Sequence, residues 1–160
     1  MNSPTPSTPD GGASLDGTAV QEVAARVAEE LPAVTRTWPF GPEHDVYKVA
    51  GKVFLMATEA TGQPIVTLKC DPEHARALRQ EFDGITAGYH VNKRHWISVA
   101  GGPGVTARLV EELVLDAYGL VVAGMPRRAR PAVPDAVRRR LGGVAPGGTP
   151  DRARPVLPGG

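Results

Sequence analysis

The chain has 160 residues, and its length favours one folded domain with polar ends rather than two domains. Its net charge of +1 is unevenly distributed. Residues 14–125 carry ten Lys or Arg against fourteen Asp or Glu, whereas residues 127–160 carry eight Arg against two Asp. This distribution argues against a uniformly basic nucleic-acid-binding core, because the positive charge is concentrated in the C-terminal residues.

The composition predicts a single domain at residues 14–125. Residues 1–13 and 126–160 are poor in apolar side chains and rich in Pro, Gly and either Ser or Arg, so we expect two disordered tails. Cys70 has no second cysteine to pair with and lies in an apolar run, which favours a buried thiol in a reducing cytoplasm. We expect neither a signal peptide nor a membrane span, since no run approaches the ~20 apolar residues that a membrane helix needs.

The first half of the domain is predicted to be a helix followed by strands. Apolar residues recur at helical spacing over Thr18–Leu31, with Asp16 or Thr18 as the cap. Four strands are then predicted, at Thr35–Trp38, Val46–Ala50, Lys52–Thr58 and Ile65–Cys70. The third of these is apolar on both faces and is therefore expected near the middle of a sheet.

The second half is predicted to be a helix, a hairpin and a last helix. Asp71-Pro72 is a strong helix start. Strands are predicted at Ile85–His90 and His95–Ala100, followed by a helix that Thr106 caps and Gly124 ends. Short turns between strands imply antiparallel pairing, so the predicted fold is α+β, a two-layer antiparallel sheet with helices packed on one face.

The segment between the last two strands, His90-Val91-Asn92-Lys93-Arg94-His95-Trp96, is predicted to be a hairpin tip rich in hydrogen-bond donors. If Asn92-Lys93 is a two-residue turn, His90 faces His95 and Tyr89 faces Trp96. Because Lys does not favour the positive φ of such turns, a longer loop is the alternative and would break both pairings. Lys93 and Arg94 suit phosphate contact, although two cations at a turn are also typical of an ordinary solvated tip.

A second basic tip is predicted at the turn Ala50-Gly51, which Lys48 and Lys52 flank. Two basic hairpins from one sheet would resemble a pair of wings, and a β-ribbon can enter a DNA groove.

The sequence shows no catalytic constellation, so we expect no enzymatic activity and no cofactor. Ser98 has no Gly-x-Ser-x-Gly context. Two histidines at one hairpin are fewer than the three or four ligands of a zinc site, and His44 and His74 are distant in sequence. We therefore expect no metal site there.

Five segments in order resemble the MmcQ/YjbR family of small bacterial proteins. They are Leu31-Pro32 with Trp38-Pro39-Phe40-Gly41, residues 46–54 (VYKVAGKVF), residues 66–73 (VTLKCDPE), residues 90–96 (HVNKRHW) and residues 113–118 (LVLDAY). The resemblance implies a fold similar to CyaY and frataxin and a double-wing mode of DNA binding.

Carried onto this chain, the resemblance and the two basic tips give one set of DNA-contacting residues. These are Lys48, Lys52, His90, Asn92, Lys93, Arg94, His95 and Trp96. The Arg-rich C-terminal residues would add sequence-independent phosphate affinity. One alternative is a module that binds an acidic protein or a small ligand through the 90–96 hairpin. The other is a frataxin-like metal binder that uses Glu22, Glu29 and Glu30.

Overall fold

The computed structural model describes residues 13–88 and 94–142. Its helices are α1 (Gly17–Glu29), α2 (Pro72–Glu81), α3 (Ala107–Ala123) and α4 (Asp135–Gly142), with a 3-10 helix at Arg127–Ala129. Its strands are β1 (Val34–Thr37), β2 (His44–Val49), β3 (Lys52–Thr58), β4 (Ile65–Lys69), β5 (Ile85–Ala87) and β6 (Trp96–Val99). These strands form one antiparallel sheet in the order β1-β2-β3-β4-β6-β5, which confirms the predicted α+β fold and the central position of β3.

The helices begin where the sequence supplies a capping side chain. The Asp16 carboxylate accepts a hydrogen bond from the Ala19 N–H at 2.8 Å, so Asp16 is the cap of α1. Thr106 caps α3 in the same way, and Asp71 caps α2 immediately before Pro72. Each cap satisfies a backbone N–H that the helix itself leaves without a partner.

The core lies between one face of the sheet and the helices. A row of paired residues crosses four strands on this face and is buried throughout: Tyr47, Leu55, Leu68 and Ile97. Every buried apolar residue of the four described helices belongs to the same cluster. The helices therefore all pack on this side of the sheet, with α4 docked on α3.

The opposite face, which we call the open face, lies outside that cluster. It carries a second row of paired residues, Val46, Met56, Thr67 and Ser98. The hydroxyls of Thr67 and Ser98 are hydrogen-bonded at 2.9 Å across β4 and β6. Both side chains are buried, and each satisfies the other's polar group.

Strand direction gives the two ends of the sheet different character. The β2–β3 turn at Ala50-Gly51, the last residue of β4 (Lys69) and the first residue of β6 (Trp96) lie at one end, which we call the hairpin end. The β3–β4 turn, the start of β2 and the end of β6 lie at the other, which we call the loop end. The β2–β3 turn, the end of β5 and the start of β6 therefore lie at the same end of the sheet.

The folded region extends past Met125, which corrects the predicted boundary of the C-terminal tail. Val137 of α4 is 0% exposed and lies in the core cluster, and α4 packs on α3. The composition rule failed here because a few well-spaced apolar residues, Val133 and Val137 among them, are enough to dock a short helix on an existing core. Residues 1–12 and 143–160 lie outside the described residues.

Candidate nucleic-acid interface

The β2–β3 turn presents the first pair of predicted cations. Ala50 and Gly51 both have positive φ, 48° and 86°, which matches the tight turn predicted for a two-residue hairpin. Lys48 is half-buried on the open face opposite Val53, and Lys52 is exposed at the start of β3. The turn is tied to the segment before β1, since the Ala50 N–H donates to the Ala33 carbonyl at 3.0 Å. A short hairpin so anchored holds its lysines at a fixed place.

The start of β6 presents the second group. Trp96 is half-buried opposite Lys69 of β4, and the Lys69 ammonium lies 5.6 Å from the centre of the indole ring. The His95 carbonyl accepts from the Cys70 N–H at 2.8 Å, which extends the pairing of β4 and β6 by one residue. Arg94 and His95 are both exposed. These contacts place the described part of the 90–96 segment at the hairpin end.

The register of β5 and β6 differs from the one in which a two-residue turn would pair Trp96 with Tyr89. Ile85 pairs with Val99 and Ala87 with Ile97, so Gly88 is opposite Trp96, and the Gly88 N–H donates to the Trp96 carbonyl at 3.0 Å. This register is one residue away from the one that a turn at Asn92-Lys93 requires. It agrees with the alternative of a longer loop. The physical reason is that Lys93 is a poor residue for the positive φ that a two-residue turn requires.

The structure therefore brings five predicted residues to one end of the sheet: Lys48, Lys52, Arg94, His95 and Trp96. His90, Asn92 and Lys93 lie outside the described residues. Sequence reasoning missed Lys69, which shares the open face with Lys48 and contacts Trp96. The sequence signal that could have identified Lys69 is its position as the one charged residue of β4, at the strand's last position and two residues before the helix cap Asp71.

Two carboxylates also lie at the hairpin end, in and just before the first turn of α2. The Asp71 carboxylate accepts from the backbone N–H groups of Glu73 and His74 at 3.2 and 3.3 Å, so it is occupied by the helix end. Glu73 is exposed. The hairpin end consequently carries cations on the open face and carboxylates on the helical side, where Asp116 of α3 also lies near Cys70.

A rigid cluster with an exposed aromatic lies on the β1–β2 side of the sheet. The Arg36 guanidinium lies 5.5 Å from the Trp38 ring centre and 5.7 Å from that of Tyr47. It also bonds to the carboxylates of Glu29 and Asp45, at 3.1 and 3.0 Å. The Trp38 indole N–H donates to the second oxygen of Asp45 at 2.6 Å. Trp38 is nevertheless 51% exposed, so its orientation is fixed by polar contacts rather than by burial.

Phe40 extends this aromatic surface towards the loop end, where it is 70% exposed and contacts the His44 ring edge-on with centroids 6.5 Å apart. The sequence placed Trp38 at the end of a predicted strand and Phe40 in a family motif, and it gave neither residue a surface role. Their exposure could not be predicted from an apolar sequence segment, because such segments are usually buried.

A cleft of about 430 Å³ opens at the loop end, between β5, β6 and the loops before β4 and α3. Its polar lining comes from Thr61, Gln63, Asp83, Thr86 and Ser98. Glycine backbone at Gly84, Gly101 and Gly102 forms much of the rest. Asp83 is the charged residue of this lining, so the cleft suits a neutral or cationic ligand better than an anionic one.

The residues considered for metal binding are dispersed or occupied. Glu29, one of the three glutamates of the frataxin-like alternative, is bonded to Arg36. Within the described part of the chain, no three side chains of the His, Cys, Asp or Glu type come together as metal ligands. The Cys70 thiol is 5% exposed, and its burial, assisted by the carboxylates of Asp116 and Asp71, raises its pKa from 9.0 to about 12. It is a buried thiol, as predicted. Across residues 13–88 and 94–142, no helix has the length and apolar character to cross a membrane.

Comparison with other sequences identifies one family and relatives of this chain. A family model described as YjbR matches residues 29–120. The chain is 42% identical over 119 residues to uncharacterized protein YbdF of Escherichia coli O157:H7, an alignment that covers 74% of this chain and 98% of that protein. It is 32% identical over 83 residues to uncharacterized protein YjbR of Escherichia coli K12, covering 52% of this chain and 70% of that protein.

Two solved structures share the fold. Deinococcus radiodurans protein DR2400, a DUF419 domain, superimposes with a TM-score of 0.58 at 33% identity, over 73% of this chain and 83% of that one. A Pseudomonas syringae protein superimposes with a TM-score of 0.52 at 25% identity, over 62% of this chain and 96% of that one.

Proposed function

Because this chain belongs to the YjbR family and its own sheet directs two strand pairs to one cationic end, we propose that it is a non-enzymatic DNA-binding protein whose hairpin end contacts phosphates. The observation that carries the proposal is the strand register. It places Lys48, Lys52 and Lys69 at the same end of the sheet, beside Arg94 and His95.

The spacing of the two hairpins supports a duplex as the ligand. In the order β2-β3-β4-β6-β5, the centres of the two hairpins are three strand spacings apart. Three spacings of ~4.8 Å give a separation of about 14 Å. A major groove is about 12 Å wide, so the hairpin-end residues of these two strand pairs suit contact with phosphates on either side of one groove.

Residues 14–125 have a net negative charge, so the proposed binding depends on the cations of one surface and not on the overall charge of the domain. Its strength should therefore depend steeply on salt. Each phosphate neutralised by a cation contributes about −0.9 to the slope of log affinity against log salt concentration. Three lysines engaged at the hairpin end would give a slope of about −3, before any contribution from C-terminal arginines.

The test is a fluorescence anisotropy titration of the full chain against a labelled 20-base-pair duplex over a series of salt concentrations. Lys48→Gln and Lys52→Gln should each weaken binding about fivefold and lower the salt slope by about 1. Arg108→Gln is the matched control, because Arg108 is an exposed cation in the first turn of α3, at the loop end. Absence of duplex binding at low salt, or equal loss from all three variants, contradicts the proposal. If a pull-down instead recovers one acidic protein, and nuclease treatment does not reduce its recovery, the hairpin end is a protein-binding surface.

The cleft at the loop end favours a second function, the binding of a small polar ligand. Its volume of about 430 Å³ lies in the range of small-molecule sites. Because Asp83 is its charged group, we propose a neutral or cationic ligand rich in hydrogen-bond donors. A thermal-shift screen with small amines and polyols tests this, with Thr86→Trp to fill the cleft. Thr35→Trp, at an exposed position on β1 at the other edge of the sheet, is the control. A stabilising compound whose effect survives Thr86→Trp binds elsewhere.

A further inference from the structure

Helix α3 runs from the loop end of the molecule to the hairpin end. At its start, Ser14 and Thr106 form a bridge, and the Leu15 N–H donates to the Val105 carbonyl at 2.8 Å. Near its end, the Tyr118 hydroxyl donates to the Pro32 carbonyl at 2.8 Å. Pro32 precedes Ala33, whose carbonyl accepts from the Ala50 N–H of the β2–β3 turn at 3.0 Å. Two hydrogen bonds, through the adjacent residues Pro32 and Ala33, therefore connect Tyr118 to the β2–β3 turn.

The residues after α3 therefore emerge at the hairpin end. Ala123, the last residue of α3, is five residues beyond Tyr118. At a rise of ~1.5 Å per residue, that is about 7.5 Å farther along the helix axis. The 3-10 helix that carries Arg127 and Arg128 begins four residues after Ala123. These two exposed arginines are consequently on the helical side of the same end that bears Lys48 and Lys52.

Specific contacts hold this segment in place. The Arg130 guanidinium donates to the carbonyls of Met125 and Ala123, at 2.9 and 3.0 Å, and so satisfies backbone groups that the end of α3 leaves without helical partners. Met125 and Val137, on either side of the 3-10 helix, are both buried. Arg127 and Arg128 are therefore presented from a fixed turn, and less conformational entropy is lost when they contact a ligand.

The charge of this segment is opposite to that of the rest of the fold. Residues 126–142 contain six Arg and one Asp, whereas residues 14–125 have a net charge of −4. The family model matches residues 29–120, so this segment lies outside the matched residues. A fixed cationic turn beside two basic hairpins is suited to a polyanion that extends past the edge of the sheet.

We infer that Arg127 and Arg128 form a third phosphate-contacting element, which extends the hairpin-end surface along the backbone of a bound duplex. This inference rests on the proposed DNA-binding function. It assigns part of the C-terminal charge to a specific place in the fold rather than to nonspecific attraction by the arginines nearer the terminus.

The test compares two double variants of the full chain in the same anisotropy titration. Arg127→Gln with Arg128→Gln should weaken duplex binding about tenfold and lower the salt slope by about 2. Arg152→Gln with Arg154→Gln removes the same charge nearer the terminus and should have a smaller effect. Equal urea midpoints and far-UV spectra would show that both variants remain folded.

Shortening the duplex separates the reach of the third element from its charge. If Arg127 and Arg128 extend the contact surface, their replacement should reduce affinity less on a duplex too short to reach past the two hairpins. Lys52→Gln should weaken binding to duplexes of both lengths. If the unmodified chain binds no duplex, the proposed function itself fails. If it binds and the hairpin variants weaken it, but the Arg127/Arg128 variant is no weaker than the Arg152/Arg154 variant, this inference alone is overturned.

Discussion

The Lys69 ammonium lies 5.6 Å from the centre of the Trp96 ring, across the pairing of β4 with β6. This contact joins the last residue of a central strand to the first residue of the strand that leaves the second hairpin. A cation over an indole face is attracted by the ring electrons, and the aliphatic stem of the lysine covers apolar surface. The contact therefore helps to hold the second hairpin at the end of the sheet where the β2–β3 turn lies.

Lys69→Met should separate the structural role of this contact from its charge. Methionine keeps a flexible apolar stem but removes the cation, so we expect a loss of about 0.5–1 kcal/mol in the free energy of unfolding and weaker duplex binding. Lys69→Arg keeps the cation and should preserve both. Urea denaturation and anisotropy titration measure the two effects. If the arginine variant loses as much as the methionine variant, charge is not the property that matters.

Asp45→Ala should loosen the Trp38 surface without affecting the hairpin end. The variant removes the acceptor of the 2.6 Å indole bond and one partner of Arg36. We expect a loss of about 1–2 kcal/mol in unfolding free energy, because a hydrogen bond to a charged group is lost while the ion pair itself is partly exposed. Glu43→Ala, an exposed carboxylate nearby, is the control. Unchanged stability would show that water replaces the Asp45 carboxylate without a loss of folding free energy. A change in duplex affinity would mean that the Trp38 surface is coupled to the hairpin end.

Val137→Ala should destabilise the docking of α4. Val137 is fully buried, and removing two methyl groups from a packed site costs about 1–3 kcal/mol. Arg139→Ala, on an exposed position of the same helix, should cost far less. Urea denaturation gives the global effect, and limited proteolysis after α3 reports local opening. If the valine variant cleaves no faster and unfolds at the same urea concentration, α4 does not contribute to the stability of the fold.

Much of the fold could be predicted from local sequence signals. Asp71-Pro72 and Thr106 start helices as expected, and the positive φ values at Ala50-Gly51 fit the predicted tight turn. The family resemblance is confirmed by the match to residues 29–120. These features depend on interactions within a few residues, or on motifs shared by relatives, and both are visible in a single sequence.

Features that depend on strand pairing were harder to predict. A two-residue turn at Asn92-Lys93 would pair Trp96 with Tyr89 and a longer loop would not, and the sequence left both open. In the structure, Gly88 is opposite Trp96 on one side and Lys69 on the other. A one-residue difference in register changes every cross-strand contact, and sequence periodicity does not determine register when the turn is ambiguous. The docking of α4 was missed for a related reason. Two valines among arginines carry little periodic signal, and their burial depends on a surface of α3 that only the folded structure provides.

Alkaline pH should destabilise the fold through its buried acids, of which Cys70 and Tyr47 have the most strongly raised pKa values. Burial, with a smaller contribution from Asp116 and Asp71, raises the pKa of Cys70 from 9.0 to about 12. Burial likewise raises that of Tyr47 from 10.0 to about 12, although the nearby Arg36 opposes the shift. In each case the unfolded chain loses its proton at a lower pH than the folded chain. Stability is therefore fully present below about pH 8 and falls as the pH rises from about 9 towards 12.

The cysteine contributes first, because its unfolded pKa is the lower of the two. Between about pH 9 and pH 10, we expect its share of the loss in unfolding free energy to be about 1 kcal/mol. Urea denaturation at several pH values checks this, with Cys70→Ala as the comparison. The alanine variant should start less stable but lose less over that interval. The folded thiol should also react slowly with a disulfide reagent at about pH 8 and rapidly in urea. Rapid labelling of the folded chain, or parallel pH profiles for the two proteins, would show that the thiol is not shielded as its burial implies.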